Sequence, residues 1–157
     1  MDAYLDIETT GLYSYCHRIT VVGISFGDSQ DVVQCIGDDI TADRLLEILK
    51  PASTIYTYNG QRFDLPFIQD RLGINLVDYC KHQDLMFHCW RRNLYGGLKA
   101  VERRLGITRR LKDVNGIEAV RLWYRYKNDS DEEALRRLLE YNQEDVLNLK
   151  VLRKVLI

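Results

Sequence analysis

Acidic side chains at four places in the sequence are of the type that holds divalent metal ions. Asp6 and Glu8 are two residues apart on a predicted strand, so their carboxylates project from the same face. Asp64 lies at the predicted start of a helix that follows a strand, and Asp145 lies four residues after Tyr141 on the last helical region. Ligand sites in an open α/β sheet gather beyond the strand ends. We therefore expect these carboxylates to meet.

Four converging carboxylates repel one another and require a compensating cation. Hard oxygen ligands select Mg²⁺ or Mn²⁺. Two such ions about 4 Å apart can activate a water molecule and neutralise the charge that develops on a phosphodiester. Residue type alone also allows simpler roles. Asp64 would then be a helix N-cap, Asp6 and Glu8 exposed strand-end residues, and Tyr141 with Asp145 a helix surface pair.

The elements that must position these residues follow from hydrophobic periodicity and turn signals. Strands are predicted at residues 3–7, 19–26, 31–36 and 54–58, with a hairpin turn at 27–29. Helices are predicted from Thr41 to Lys50, over 64–71 with an end at Gly73, and from Leu98 to a stop at Gly106.

The last helical region has its own signals. Ser130 and Glu133 form a capping box that begins the region. Residues 131–157 contain neither Gly nor Pro, and because 27 residues is long for one globular helix, we expect a break near Tyr141. The order of strands followed by helices predicts an α/β sheet with helices packed on it.

Length and composition are those of a folded globular chain. With 157 residues, 46% hydrophobic and 29% charged, the chain is expected to form a single domain over 1–157. No segment is apolar enough to cross a membrane, and the beginning of the chain lacks a basic, apolar leader, so a cytoplasmic location is expected.

Cysteine, histidine and basic residues suggest two further sites. A zinc site formed by Cys80, His82, His88 and Cys89 is open by residue type, although its spacing matches no ordinary zinc module. Basic side chains are concentrated between residues 91 and 112. They are interpreted either as a phosphate-binding face or as a solvated helix surface, and they comprise Arg91, Arg92, Lys99, Arg103, Arg104, Arg109, Arg110 and Lys112.

Three strings change the weight of these alternatives. DIETTGL at 6–12, NGQRFDLPFI at 59–68 and YNQEDV at 141–146 resemble the three exonuclease motifs of the DEDD-type 3′–5′ exonucleases of the ribonuclease H-like superfamily. They occur in the family's order. The resemblance implies that Asp6, Glu8, Asp64 and Asp145 are the metal ligands.

Tyr141 corresponds, by the same resemblance, to the residue that helps to orient the attacking water, which implies the tyrosine subtype. RITVVGISFG at 18–27, GLKAVERRLG at 97–106 and YNQEDVLNL at 141–149 are also similar to a prokaryotic branch of ribonuclease H-like exonucleases, in which histidine often occupies this position. A phenol has a pKa of about 10 and an imidazole about 6.5. Tyr141 is therefore expected to position water by hydrogen bonding rather than to act as a base.

The resemblance also implies an architecture: a mixed five-stranded sheet of the ribonuclease H-like fold, with the second strand antiparallel to the others and helices on both faces. We expect the fifth strand near residues 83–86, where Asp84 is a further acidic candidate without an assigned role.

Contacts to nucleic acid are expected at the turn after the first motif and at nearby positions. By resemblance that turn borders the terminal nucleotide, whereas Leu12 and Phe63 either contact bases or pack in the core. The expected nucleic-acid contacts are Thr9, Thr10, Gly11, Leu12, Asn59, Phe63, Arg103 and Arg104.

The resulting hypothesis is an enzyme that hydrolyses phosphodiester bonds. We expect a 3′–5′ exonuclease that uses two Mg²⁺ or Mn²⁺ ions on the 3′ end of single-stranded nucleic acid, with no membrane partner. Two alternatives remain at this point: a noncatalytic nucleic-acid-binding module on the same fold, and a ribonuclease H-like endonuclease. The sequence does not distinguish DNA from RNA as the substrate.

Overall fold

A computed structural model describes the whole chain, residues 1–157, and contains one five-stranded sheet. The strands are β1 (Asp2–Thr9), β2 (Ile19–Phe26), β3 (Val33–Ile36), β4 (Thr54–Thr57) and β5 (Lys81–Asp84). Their order across the sheet is β3-β2-β1-β4-β5. Strand β2 is antiparallel to β1 and to β3, whereas β1, β4 and β5 run parallel, as predicted.

Six helices cover the sheet. They are α1 (Ala42–Leu49), α2 (Asp64–Leu72), α3 (Leu85–Trp90), α4 (Leu98–Leu105), α5 (Gly116–Asp129) and α6 (Glu132–Leu156). None of them combines the length and the apolar composition that a bilayer crossing requires.

Alternation along β1 divides the core between the two faces of the sheet. Leu5 and its neighbours on one face pack against Leu45 of α1 and Ile68 of α2. Tyr4 on the other face packs against Leu149 of α6. Because side chains alternate along a strand, Asp6 and Glu8 share the face of Tyr4 and point toward α6. Helices therefore lie on both faces, and the acidic face of β1 is covered by α6.

Helix α6 is continuous over 25 residues, so the predicted break near Tyr141 is wrong. Its buried side chains extend from Ala134 to Leu156 and contact the sheet and α5, so tertiary packing supports the helix along its whole length. The Arg92 guanidinium donates to the Val155 and Leu156 carbonyl oxygens at the end of α6. Arg92 is exposed, and its guanidinium also caps the end of α6.

Two local predictions near the helix starts need correction. Asp131, and not Ser130, caps α6, since its carboxylate accepts the Ala134 N–H at 3.0 Å. Ser130 instead ends α5 with φ of 52°. The fifth strand ends at Asp84, earlier than predicted, because the Asp84 carboxylate accepts the Met86 N–H and begins α3 there. The sequence patterns do not individually predict α3 or α5.

Candidate metal centre

Three carboxylates from β1 and α6 converge on one point. Oxygen atoms of Asp6, Glu8 and Asp145 all lie within 4.8 Å of one another. We call these three residues the carboxylate cluster. The period of two along β1 places the first two on one face, and α6 lies across that face so that the third approaches from above. The predicted convergence of these residues is present in the structure.

Asp64 contacts the backbone of β1 next to the carboxylate cluster. Its Oδ2 accepts the N–H of Ile7, between the two strand ligands, at 3.1 Å, and the residue is 4% exposed. It is the first residue of α2, and Phe63 occupies the N-cap position. A role for Asp64 limited to helix capping is therefore excluded. It lies outside the carboxylate cluster as defined but adds to the negative field at Asp6.

The close approach of α6 to the sheet depends on Gly23 of β2, which pairs with Asp6 in the sheet register. A Cβ atom at Gly23 would lie 2.2 Å from Asn142 Oδ1 and 2.9 Å from Val146 Cγ2. Asn142 is fully buried, and its amide donates to Asp6 Oδ2 at 3.3 Å while its oxygen accepts from Gln34 at 3.0 Å. The buried amide thus connects α6 to the strand that carries Asp6 and Glu8.

The electrostatics of the site favour a bound cation. Burial raises the pKa of Glu8 to about 8, with Asp145 adding to the effect. Burial raises the pKa of Asp64 to about 7, against the stabilising Ile7 N–H, and burial together with the neighbouring carboxylates raises the pKa of Asp6. A divalent cation would remove the repulsion that holds these protons.

Glu8 shows most directly that the donor set fits a metal. Its Oε1 atom is buried and has no hydrogen-bond donor. A buried carboxylate oxygen without a partner is costly unless a ligand satisfies it. The surrounding ligands are all carboxylate oxygens, which suits Mg²⁺ or Mn²⁺. These residues therefore fit a hard divalent cation.

Asp145 differs from the other carboxylates because it has a cationic partner. Arg109 Nη2 lies 2.6 Å from Asp145 Oδ1. The same guanidinium donates to both oxygens of Glu102 at 2.8 and 2.9 Å, and Asn148 Nδ2 donates to Glu102 at 2.7 Å. Arg109 is 6% exposed and Glu102 is 2% exposed. Burial raises the pKa of Asp145 to about 6 while Arg109 opposes the rise.

Sequence reasoning missed this buried ion network. The interpretation of Arg109 as part of a phosphate-binding face or a solvated helix surface is wrong, because the side chain is 6% exposed and paired with Glu102 and Asp145. A signal was nevertheless present: Glu102 occupies the same helical face as Leu98 and Leu105, so a charged residue interrupts an apolar stripe. A charge in that position indicates a buried partner.

Tyr141 lies beside the carboxylate cluster and is 6% exposed. The Lys99 ammonium lies 4.6 Å from the centre of its ring, and the Arg109 guanidinium carbon lies 5.7 Å from it. Burial raises the pKa of Tyr141, with the three carboxylates adding to the effect, so its hydroxyl remains protonated at neutral pH. Lys99 is a second residue near the site that sequence reasoning had placed only in the general basic segment.

Asp84 fixes the loop that leads to Asp64. Its carboxylate accepts the N–H groups of Asn59 and Gln61 at 2.8 and 3.1 Å in addition to that of Met86. Asn59 has φ of 61°, a left-handed conformation that asparagine tolerates better than most residues. Asp84 thus has a structural role: it holds the backbone of the second motif at Asn59 and Gln61. Its carboxylate does not belong to the carboxylate cluster.

The residues expected to contact nucleic acid differ in how accessible they are. Thr9, Thr10 and Gly11 form a turn directly after the Glu8 position, closed by a 2.7 Å hydrogen bond from Thr9 Oγ1 to the Gly11 carbonyl. Leu12 is 74% exposed. Phe63, in contrast, packs against the core and against Phe67. Arg103 and Arg104 are exposed on α4.

The candidate zinc site does not form. Thr57 Oγ1 lies 2.8 Å from His82 Nε2, and His88 Nε2 lies 3.0 Å from Gln83 Oε1. Cys89 is fully buried in an apolar cluster with Tyr56 and Leu85. These side chains therefore have separate partners, and they do not form a group that could hold a metal.

Comparison with known proteins places this geometry in a family. Residues 3–157 match the model described as RNase_H superfamily. The chain belongs to the RNase_H superfamily. Among curated proteins it is 29% identical to the uncharacterised protein MJ0365 of Methanocaldococcus jannaschii, over 99% of this chain and 94% of that protein.

Solved structures extend the likeness. NrnC of Brucella melitensis with bound Mg²⁺ is 27% identical with a TM-score of 0.67, and NrnC bound to pGG is 24% identical with a TM-score of 0.71. Both alignments cover 99% of this chain and 71% of that chain. A family B DNA polymerase of Pyrobaculum calidifontis is 15% identical with a TM-score of 0.70, over 94% of this chain and 24% of the polymerase, which is a likeness of fold.

Proposed function

We propose that the protein is a divalent-metal-dependent nuclease, and specifically a 3′–5′ exonuclease of the DEDD type that degrades single-stranded nucleic acid. The observation that carries the proposal is the carboxylate cluster with its unsatisfied Glu8 oxygen. The structures of NrnC with bound Mg²⁺ and with bound pGG support a metal and an oligonucleotide as ligands of this fold. The unit of function is the single domain formed by residues 1–157.

Different residues of the chain have different roles in hydrolysis. Asp6, Glu8, Asp64 and Asp145 would hold two Mg²⁺ or Mn²⁺ ions, which supply charge neutralisation and water activation when bound. Ile7 N–H and Asn142 fix the orientation of two of these carboxylates. The ligands are thus held in place before a metal binds, which favours catalysis.

Tyr141 has the role of orienting the attacking water, which assigns the enzyme to the tyrosine subtype within the prokaryotic branch. Its hydroxyl stays protonated because burial raises its pKa, so it acts as a hydrogen-bond donor or acceptor and not as a base. Lys99, against the Tyr141 ring, adds positive charge beside the point where the phosphate binds.

Basic side chains near the cluster would bind the backbone of the strand. Lys99, Arg103 and Lys112 line a cleft of about 550 Å³ that also reaches Arg109. Arg103 and Arg104 are exposed on α4 and are free to contact phosphates, whereas Arg109 is committed to Asp145. Phosphate contacts of this kind bind all sequences alike.

The test is a time course of cleavage on single-stranded DNA and RNA labelled at the 5′ end, with Mg²⁺ or Mn²⁺. We expect a ladder that shortens from the 3′ end, no products with EDTA, and no products from an internally labelled circular strand, which has no 3′ end. Asp6→Asn should abolish cleavage, whereas Asp43→Asn, on the exposed start of α1, should not.

Other outcomes identify the alternatives. Cleavage of the circular strand would make the protein an endonuclease. Binding of both strands without any metal-dependent product would make it a noncatalytic nucleic-acid-binding module. Turnover that persists in EDTA would contradict the metal-dependent mechanism itself.

A further inference from the structure

The loop that follows the first motif presents two exposed aromatic rings. Tyr13 is 56% exposed and Tyr15 is 80% exposed. Their ring centres are 5.7 Å apart, and Tyr13 stacks on His17 with ring centres 6.0 Å apart. Exposure of large apolar rings on a loop has a cost in water, so it indicates a surface that another molecule covers.

This loop is held by hydrogen bonds within the protein. The His17 N–H donates to the Tyr13 carbonyl at 2.8 Å, and the Tyr13 N–H donates to His17 Nδ1 at 3.0 Å. Ser14 Oγ donates to Asp70 on α2 at 2.5 Å. The rings are thus oriented before any ligand binds, which lowers the entropy lost on binding.

The position of the Tyr13 and Tyr15 rings indicates which kind of ligand would cover them. Tyr13 lies four residues after Thr9, the last residue of β1, so its Cα is within roughly 14 Å of the strand end that carries Glu8. Ser14 of the same loop contacts Asp70 and Arg71 of α2, the helix that begins at Asp64, so the loop joins β1 and α2, two elements that carry acidic residues of the site. Exposed aromatic rings beside a nucleic-acid strand bind unpaired bases by stacking, independently of sequence.

We propose that Tyr13 and Tyr15 form a stacking platform for unpaired bases of the strand that is cleaved at the carboxylate cluster. The proposal rests on the proposed nuclease function and deepens it by naming single-stranded nucleic acid as the ligand of this loop. Base pairs in a duplex present no free ring face at this position, so the platform favours single strands.

The experiment measures the affinity of the protein for two strands of equal length and charge. One is a mixed-sequence DNA dodecamer, and the other is an abasic dodecamer with the same sugar-phosphate backbone. Binding is measured by fluorescence anisotropy in the Asp6→Asn background with Mg²⁺, so that the strand stays intact. The preference for the strand with bases reports base contacts alone.

We expect Tyr13→Leu and Tyr15→Leu each to reduce this preference by roughly fivefold or more, because one stacked base contributes about 1–3 kcal/mol. Tyr13→Phe and Tyr15→Phe keep the ring and should keep the preference. Tyr79→Leu is the matched control, since Tyr79 is 62% exposed but precedes β5 at the opposite end of the parallel strands.

Three results would overturn the platform. They are an unchanged base preference in the Tyr13→Leu, Tyr15→Leu double variant, an equal loss in the Phe variants, and a change of oligomeric state with base preference unaltered. The last result would identify the rings as a contact between copies of the chain. Absence of cleavage by the wild type would reject the nuclease function without altering these affinities, so the two failures are distinguishable.

Discussion

Asp6 and Glu8, on the strand side of the carboxylate cluster, differ from Asp145, on the helix side, in what balances their charge. The strand carboxylates have no cationic partner to oppose the effect of burial, which raises the pKa of Asp6 and raises that of Glu8 to about 8. Burial raises the pKa of Asp145 only to about 6, because Arg109 opposes the rise. Asp145 is paired with a buried guanidinium that a second carboxylate holds in place. The strand side is thus built to receive charge from outside the protein, whereas the helix side is balanced from within.

This difference separates function from stability. Removing a strand carboxylate relieves repulsion in the metal-free protein, whereas removing the helix carboxylate leaves a buried cation short of a partner. The two sides should therefore respond alike in catalysis and oppositely in folding.

The largest effect should come from replacing a ligand on each side. Asp6→Asn and Asp145→Asn should each reduce cleavage by orders of magnitude, because ligand charge holds the ions. In metal-free urea unfolding, Asp6→Asn should equal or exceed the wild type in stability, and Asp145→Asn should lose about 1–3 kcal/mol as a charged hydrogen bond weakens. Equal destabilisation by both would contradict the comparison.

The ion pair on the helix side can be removed without replacing any of the proposed metal ligands. Arg109→Met leaves Glu102 and Asp145 buried without a cation and should cost about 3–5 kcal/mol of unfolding free energy. The measurement is urea unfolding monitored by tryptophan fluorescence.

Arg110→Met is the matched control for this change, because the Arg110 side chain is 84% exposed and its loss should cost no more than about 0.5 kcal/mol. If Arg109→Met fails to fold, Glu102→Gln tests the same network with less disruption. Stability equal to wild type in both would mean that the ion network contributes nothing to folding.

The pH dependence of folding stability tests the carboxylates on the strand side. The folded pKa of Glu8 is about 8 and that of Asp64 about 7, both above their ordinary values near 4, so the folded protein binds more protons than the unfolded chain in this window. Metal-free stability should therefore fall as pH rises from about 5 to about 8. The melting temperature in EDTA measures this fall.

Mg²⁺ should reverse the trend, so that the rise in melting temperature on adding Mg²⁺ increases with pH. Glu8→Gln should flatten the metal-free profile. A melting temperature that climbs across the window in EDTA would show that these carboxylates are already ionised in the folded protein.

The smallest expected effect concerns Tyr141, which lies on the helix side, one turn before Asp145 on α6. Tyr141→Phe removes the hydroxyl and keeps the ring that Lys99 contacts. One hydrogen bond contributes about 0.5–1.5 kcal/mol, so single-turnover cleavage should fall about two- to tenfold. Metal affinity should be unchanged. Wild-type turnover would make Tyr141 a packing residue and would reject the tyrosine subtype.

Local patterns predicted most of the sheet and the convergence of the ligands. Strand β2 follows from its β-branched run, and α4 ends at the predicted Gly106. Asp6, Glu8 and Asp145 meet because strand alternation and helix position fix their directions. The sequence reading did not find the pairing of Arg109 with Asp145, since that contact joins residues 36 positions apart through a loop whose course only tertiary packing determines.

Tertiary packing also explains why the predicted break in α6 and the predicted cap at Ser130 were wrong. The continuity of α6 depends on neighbours that cover both of its halves, which no local signal records. The capping-box signature predicted Ser130 as the cap of α6, but Ser130 adopts the left-handed conformation that ends α5, so the adjacent Asp131 caps α6 instead.

Gly23 contributes no ligand, yet the centre depends on it. A single methyl group there would meet Asn142, which is held from both ends, and Val146. Movement of Asn142 would break its hydrogen bonds to Asp6 and Gln34, and Val146 is fully buried, so we expect the added methyl group to push α6, and with it Asp145, away from the strand that carries Asp6. A relative can therefore keep all four acidic residues and still lack an active metal centre. Active members of the family should be recognised by the glycine at this position as well as by their carboxylates.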